Sequence, residues 1–193
     1  EPVAKASEAY VAAMFDQFAN SFDSHLRKLG YRAPKLVADA LIAATPAKAQ
    51  ISICDAGCGT GLIGPLLREK ASRLVGVDLS AGMVDKARAR GLYDELRVGD
   101  LTEFLKSRPG EFDAVISADT LNYFGDLASP FAAAFAALKP GGVLLLTLEA
   151  QKEEGAPDHQ LQPHGRFAHR RDYAEKVLRE KGFAVEALAE EIL

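Results

Sequence analysis

The chain has 193 residues, a net charge of −4 and 48% hydrophobic residues, which suits one domain with a full hydrophobic core. The acidic balance offers no basic surface for a nucleic-acid backbone, and no apolar run approaches the roughly 18 residues of a membrane span. Cys54 and Cys58 are too few for a disulfide framework, and no spacing of metal ligands occurs. We therefore expect a cytoplasmic protein that binds neither nucleic acid, nor membrane, nor metal.

The first 45 residues are predicted to form two helices ahead of the sheet. The first carries an apolar stripe at helical spacing and stops at Gly30; the stripe consists of Phe15, Phe18, Phe22, Leu26 and Leu29. The second begins at Ala33-Pro34 and runs to about Ala44. We interpret residues 1–46 as a helical cap on a domain over 47–193. The stripe fits either a core layer or a mobile lid that shields a ligand.

From residue 50 onward, short apolar runs alternate with helical patterns, which is typical of a parallel sheet covered on both faces. Strands are predicted near 51–54, 73–77, 96–98, 112–116, 142–148 and 183–188. Helices are predicted near 62–70, 80–90, 101–107, 128–138 and 170–181. The polar residues 151–168 predict a long loop. The pattern indicates a doubly wound α/β domain.

The stretch DAGCGTGLIG, Asp55 to Gly64, has two registers: G-x-G-x-G from Gly57, or the dinucleotide fingerprint G-x-G-x-x-G from Gly59. A glycine turn after a strand lets the backbone approach a ligand, and the next helix presents free N–H groups. Asp55 would repel the diphosphate of a nicotinamide or flavin cofactor, whereas it suits a ligand with ammonium and sulfonium groups. The charge favours the register from Gly57 and leaves Gly64 to helix packing.

Two more acids follow predicted strands. Asp78 lies 21 residues after Gly57 (78 − 57), a place that suits the hydroxyls of a ribose. Asp100 follows the third strand, where it could read an adenine amino group or cap the next helix.

These segments resemble the class I S-adenosylmethionine-dependent methyltransferases. The resemblance rests on DAGCGTG, GVDLSAGMVDKA, VGDL, FDAVISADTLNYFGD and LKPGGVLLLT, and it covers the chain from about residue 50. FDQFANSFDSHLRKLGYRAP and GRFAHRRDY are similar to bacterial methyltransferases found behind tetratricopeptide repeats. The resemblance implies a Rossmann-like sheet of order 3-2-1-4-5-7-6, S-adenosylmethionine as cofactor and S-adenosylhomocysteine as product.

The resemblance also implies cofactor contacts at named positions. The methionine part would meet Asp55 and the loop residues Gly57, Cys58, Gly59, Thr60 and Gly61, under a cap of Phe15, Phe22 and Tyr31. Asp78 would hold the ribose, and the adenine would meet Leu79, Met83, Asp100 and Leu101. Ala118 and Asp119 would line the methyl side.

Methyl transfer is an in-line displacement that needs a general base only when the acceptor is protonated. The candidate bases are Asp119, Tyr123 and His169. Arg166, Arg170 and Arg171 could hold an acidic acceptor beside His169, although a histidine among arginines is also typical of a solvated helix start. We expect a small-molecule acceptor.

Two alternatives stay open. One is a cofactor-binding relative that has lost catalysis and acts as a partner subunit. The other is a nicotinamide-dependent oxidoreductase in the register from Gly59, for which no catalytic Tyr-Lys or His-Asp pair is evident.

The ends of the chain also carry an expectation. The first residue is Glu1, so we expect a longer natural protein, with room for a tetratricopeptide-repeat region ahead of it. Only residues 189–193 follow the sixth predicted strand, too few for a turn and a seventh strand. A gap between strands five and six would leave backbone groups unpaired. We therefore expect the final strand to lie beyond Leu193.

Overall fold

The computed structural model of the protein describes residues 5–47, 49–153 and 155–191. Within these ranges five parallel strands form one sheet in the order β3-β2-β1-β4-β5. The strands are β1 (Ile51–Ala56), β2 (Ala71–Asp78), β3 (Glu95–Val98), β4 (Phe112–Ser117) and β5 (Leu138–Leu146). The predicted Rossmann-like α/β fold is confirmed.

Eight α-helices precede or flank the strands in the described part of the chain. They are α1 (Glu8–Phe18), α2 (Phe22–Leu29), α3 (Ala33–Ala44), α4 (Gly64–Leu67), α5 (Ala81–Ala89), α6 (Leu101–Lys106), α7 (Ala128–Ala137) and α8 (Arg171–Glu180). Among the described residues, no helix has the length and apolar character to cross a membrane.

Side chains alternate between two hydrophobic cores, one on each face of the sheet. Ile53 of β1 packs with Leu41 of α3 in one core, and its neighbour Cys54 packs with Phe131 of α7 in the other. Because both faces are buried, the strands are apolar at nearly every position. α3 therefore belongs to the layer that covers the sheet, whereas α1 and α2 lie over the ends of the strands.

The prediction of one continuous first helix is wrong, because the structure has two helices there, α1 and α2. The break lies at residues 19–21, where Ser21 N donates to Phe18 O at 3.0 Å in a turn. Asn20 and Ser21 favour such turns, since their side chains compete for backbone hydrogen bonds. α2 ends as predicted at Gly30, whose φ of 67° is the left-handed conformation of a helix cap.

The predicted loop over 151–168 is wrong in part. In the described residues β6 (Glu149–Ala150), β7 (His159–Leu161) and β8 (Phe167–His169) form a second sheet in the order β6-β8-β7. β7 and β8 are antiparallel, joined by a turn in which Gly165 N donates to Gln162 O at 2.9 Å. Phe167 and its neighbours are buried, so this short run has a hydrophobic reason to pair.

The sixth predicted strand, at 183–188, is wrong: these residues have no regular secondary structure. α8 ends at Glu180 and is followed by Gly182 (φ 98°), after which Phe183 packs edge-on against Phe135 with ring centroids 5.2 Å apart. A strand needs a neighbour for its N–H and C=O groups, and no strand of the described residues pairs with the outer edge of β5. The position of a final strand beyond Leu193 stays a prediction.

Candidate active site

A cavity of about 340 Å³ opens at the carboxyl ends of the parallel strands. It lies where the strand order reverses between β1 and β4, the point at which open α/β sheets bind ligands. Residues of α1 and α2 line its opposite side. The volume falls in the range of about 300–1,000 Å³ that is typical of small-molecule sites.

The glycine loop, residues 57–61, follows β1 at the base of this cavity. Gly57 has φ 85°, and a Cβ there would lie 2.0 Å from Thr120 Oγ1. Only glycine tolerates both conditions. Gly57 N and Cys58 N donate to Val77 O at 2.8 and 3.0 Å, which fixes the loop against the end of β2.

Asp78, the last residue of β2, holds the loop from the other side. Its Oδ2 accepts from Gly59 N at 2.9 Å, and its Oδ1 accepts from Ser80 N at 2.9 Å. Burial raises the pKa of this carboxyl, and the backbone hydrogen bonds oppose the rise. A carboxylate has about four lone-pair sites, so Asp78 can still accept from hydroxyls of a ligand.

Asp55 lies beneath the loop and is only 3% exposed. Its Oδ2 accepts a hydrogen bond of 2.6 Å from the Tyr93 hydroxyl. Burial raises the pKa of Asp55 to about 7; the Tyr93 hydrogen bond lowers it, and the negative charge of Asp78 raises it. A cation bound at the loop would favour the ionised form of Asp55.

Asp100 begins α6 and has a different partner on each oxygen. Oδ1 accepts from Glu103 N at 2.9 Å, which caps the helix. Oδ2 accepts from Lys5 Nζ at 2.5 Å, and this ammonium also lies 4.6 Å from the centre of the Phe124 ring. The structure thus shows Asp100 as a helix cap. A ligand that hydrogen-bonds to Asp100 Oδ2 would share this oxygen with Lys5 Nζ or displace the ammonium group.

The end of β4 carries the polar groups that the sequence predicts on the methyl side. Asp119 has φ 57°, an uncommon conformation for a residue other than glycine and one that clusters at functional sites. Its Oδ1 accepts from the Thr147 hydroxyl at 2.9 Å, and its Oδ2 lies 3.4 Å from Arg166 Nη2. Burial raises the pKa of both Tyr31 and Tyr123, so these phenols keep their protons at neutral pH.

Aromatic rings of the N-terminal helices close the cavity. The Phe15 ring meets the Phe22 ring at 5.9 Å and the Tyr123 ring at 5.6 Å, both edge-on. Leu26 and Leu29 of α2 line the same cavity, and Leu29 is 64% exposed. Four of the five residues of the apolar stripe therefore line the cavity, whereas Phe18 is exposed and lies outside it.

Asp16 attaches α1 to the start of α5. One oxygen, Oδ1, accepts from Ser80 Oγ at 2.5 Å and from Gly82 N at 2.9 Å. These two hydrogen bonds lower the pKa of Asp16. The contact lies just after Asp78, so α1 is joined to the strand end that borders the cavity.

Asp23 attaches α2 to the glycine loop itself. Its Oδ1 accepts from Thr60 Oγ1 at 2.5 Å, and its Oδ2 accepts from Arg90 Nη2 at 2.5 Å. Arg90 Nε in turn donates to Thr60 O at 2.6 Å. The helices that cover the cavity are thus hydrogen-bonded to the loop at its base.

Comparison with known proteins gives this geometry a context. Residues 54–146 match the family model described as Methyltransferase domain. Human Methyltransferase-like protein 27 is 38% identical over 136 residues, 69% of this chain and 55% of that protein. Malonyl-[acyl-carrier protein] O-methyltransferase of Salmonella typhimurium is 28% identical over 149 residues, 77% of this chain and 57% of that enzyme. The chain thus spans about half the length of these relatives.

Solved structures share the fold. An S-adenosylmethionine-dependent methyltransferase from Mesorhizobium loti superposes with a TM-score of 0.62 at 26% identity, covering 77% of this chain and 81% of that one. Residues 54–146 thus match a methyltransferase domain, and the fold is the one found in S-adenosylmethionine-dependent methyltransferases. Its cofactor is S-adenosylmethionine, as the family match and this neighbour support.

The methyltransferase domain brings nearly all the sequence-predicted site residues together. Every predicted cofactor contact except Gly61 lines the cavity, as do Asp119 and Tyr123. A Cβ at Gly61 would lie 3.0 Å from Tyr93 Cε2, so this glycine faces Tyr93 instead of the cavity. Contact of the lining residues with the cofactor stays a prediction.

The structure does not bring His169 to the cavity. It lies on β8, is 3% exposed, and its Nε2 donates to Phe124 O at 2.8 Å. Burial lowers the pKa of this imidazole, so it is neutral at physiological pH. Arg170 pairs with Asp172, and of the three neighbouring arginines only Arg166 lines the cavity.

Several residues of this site were not found from the sequence. Lys5, Asp16, Asp23 and Tyr93 each meet partners that lie 37 or more residues away in the chain. No local motif marks such residues, because only the folded sheet brings them beside the loop.

We expect Asp23→Asn to weaken binding of S-adenosylhomocysteine about fivefold, because α2 would lose a charged contact with Thr60 and Arg90. The estimate corresponds to about 1 kcal/mol, the low end for a partly exposed charged hydrogen bond. Titration calorimetry measures the affinity. Asp39→Asn is the matched control, since Asp39 pairs with Lys35 on the exposed side of α3. Equal affinities for the two variants would contradict a role of the cap in binding.

Proposed function

We propose that this domain transfers the methyl group of S-adenosylmethionine to a small-molecule acceptor. The observation that carries the proposal is the buried carboxylate of Asp55 beneath a glycine loop with no room for a side chain at Gly57. An ammonium group suits this carboxylate, whereas a diphosphate would add negative charge beside Asp55 and Asp78. The charge thus disfavours the nicotinamide alternative in the register from Gly59.

The residues along the cavity wall support one placement of the cofactor. The loop and Asp55 hold the methionine part, and Asp78 accepts from the ribose hydroxyls. The rings of α1 and α2 exclude water, which strengthens the electrostatic contacts inside. The adenine meets Leu79, Met83, Asp100 and Leu101, and the methyl side is lined by Ala118 and Asp119. Tyr31, in the cap over the methionine part, lies beside Asp119.

Held by the loop and Asp55, S-adenosylmethionine would supply an activated methyl group, whose bond to sulfur would break as the acceptor bonds to the methyl, leaving the electron pair on sulfur. The protein contributes to catalysis by aligning the acceptor with the methyl group and by excluding water. Asp119 accepts a proton from an acceptor that carries one, and the protonated phenols of Tyr31 and Tyr123 donate hydrogen bonds to it.

The proposal extends to the organisation of the protein. α1 and α2 act as the cap. α3, which was predicted as part of a cap over residues 1–46, goes instead with the catalytic domain of residues 47–193, because Val37, Ala38 and Leu41 pack on the sheet. The aromatic N-terminal helices and the GRFAHRRDY segment support membership of the group found behind tetratricopeptide repeats.

The position of Arg166 favours a methyl acceptor that carries a carboxylate. It lines the cavity on the methyl side, with Nη2 3.4 Å from Asp119 Oδ2 and Nε 3.4 Å from Glu149 Oε2. The buried Nε–H nevertheless has no hydrogen-bond acceptor among the described residues. A guanidinium binds a carboxylate through two parallel N–H donors, so a carboxylate on the acceptor would satisfy this donor.

Asp78→Ala should weaken binding of S-adenosylhomocysteine by about 1.5–3 kcal/mol, the value of hydrogen bonds to a charged group. Titration calorimetry measures the loss. Asp85→Ala, which removes the exposed partner of Arg88 on α5, serves as the control. The same affinity in the Asp78 and Asp85 variants would remove Asp78 from the ribose site.

Arg166→Gln should raise KM for an acidic acceptor by about 10- to 100-fold, because a charged hydrogen bond is worth about 1.5–3 kcal/mol. Cofactor affinity should be unchanged. The assay measures methyl release over a panel of carboxylic acids, amines, phenols and RNA, with Arg170→Gln as the control. Turnover of amines or RNA but of no acid would contradict the acidic acceptor. Cofactor binding without turnover of anything would favour a partner subunit.

A further inference from the structure

We propose that Tyr93 is a positioning residue for the cofactor's ammonium group: its hydroxyl keeps Asp55 oriented beneath the glycine loop and ionised. The inference rests on the proposed function. Tyr93 lies in the connection between α5 and β3, outside the segments that carry the family resemblance, and nothing in its local sequence marks it.

The ring of Tyr93 reaches Asp55 through a space that three glycines leave open. A Cβ would lie 3.0 Å from the ring at Gly61, 3.1 Å at Gly64 and 3.0 Å at Gly76. Such distances are shorter than ordinary van der Waals contact, so larger residues would push the ring away. The ring is therefore held between the glycine loop, the start of α4 and the middle of β2, with its hydroxyl 2.6 Å from Asp55 Oδ2.

Among the described groups that face Asp55, the Tyr93 hydroxyl stabilises the ionised carboxylate, and the others oppose ionisation or are neutral. Asp78 opposes ionisation from β2, and the buried thiols of Cys54 and Cys58 are neutral because burial raises the pKa of each. Tyr31 faces Asp55 from the cap and keeps its proton, since burial raises its pKa. Arg90, near Tyr93, is already bound to Asp23 and to Thr60 O.

The direction of the hydrogen bond is fixed by the acidity of its two ends. Burial and the charge of Asp55 raise the pKa of Tyr93, so the phenol stays protonated over the physiological range. It can therefore donate to an ionised Asp55, and this donation lowers the pKa of the carboxyl. Without the donor, Asp55 would bind its proton more tightly, and an ammonium group would meet a neutral acid at neutral pH.

The test is Tyr93→Phe, which keeps the ring and removes the donor. Calorimetry with S-adenosylhomocysteine should show wild-type affinity rising with pH through about 7, the pKa of Asp55. A rise of one unit in this pKa would make the variant about ninefold weaker at pH 6, about fivefold weaker at pH 7 and about twofold weaker at pH 8. A structural defect would not shrink in this way as the pH rises.

The control ligand is 5′-methylthioadenosine, which keeps the adenosine and the thioether but lacks the ammonium group. Its affinity should be the same for wild type and Tyr93→Phe at every pH. Gly64→Ala, which crowds the ring but retains the hydroxyl, should give a smaller shift of the same kind and serves if Tyr93→Phe does not fold.

A defect that is independent of pH, an equal defect with methylthioadenosine, or no defect would overturn the role of Tyr93. If wild type bound neither ligand at any pH, the proposed function itself would fail, so the two failures are distinguishable.

Discussion

A carboxylate shielded from water at the end of β1 is the constraint on which the site depends. Asp55 is 3% exposed and has a pKa raised by burial to about 7, against an ordinary value of 3.8. The folded protein binds this proton more tightly than the unfolded chain, so the contribution of Asp55 to stability falls as the pH rises from about 4 to 7. Ionisation of the buried Asp55 costs free energy that a cationic ligand at the loop would offset, and such a group is expected at a binding site.

The surrounding elements are arranged around the same carboxylate. The loop over it is fixed to Val77 O and Asp78, and the helices that cover the cavity are attached to the loop and to α5 by Asp23 and Asp16. The glycine loop and the helices that cover the cavity therefore share hydrogen-bond partners. Movement of α2 would disturb Thr60, and displacement of the loop would break the contact of Thr60 with Asp23, because one hydrogen bond joins them.

The sequence predicted what depends on short-range patterns. Apolar runs predicted the five parallel strands, and the glycine loop followed by Asp78 predicted which strand ends border the cavity. The break at Asn20 was missed because the apolar stripe continues at helical spacing across the short turn. The pairing of β7 with β8 was missed because the segment is polar and its turn is short. His169 was wrongly predicted as a candidate base or as part of a solvated helix start, because nothing local shows that β8 buries it. Tyr93 was missed because Asp55 lies 38 residues away and only the fold joins them.

The central claim is that this cavity suits an adenosine cofactor with a cationic group and not a dinucleotide. Titration calorimetry of the intact chain with S-adenosylhomocysteine and with NAD⁺, in one buffer at pH 7.5, tests that claim most directly. We expect saturable one-to-one binding of S-adenosylhomocysteine and no heat of binding from NAD⁺ at the same concentrations. Preferential binding of NAD⁺ would contradict it.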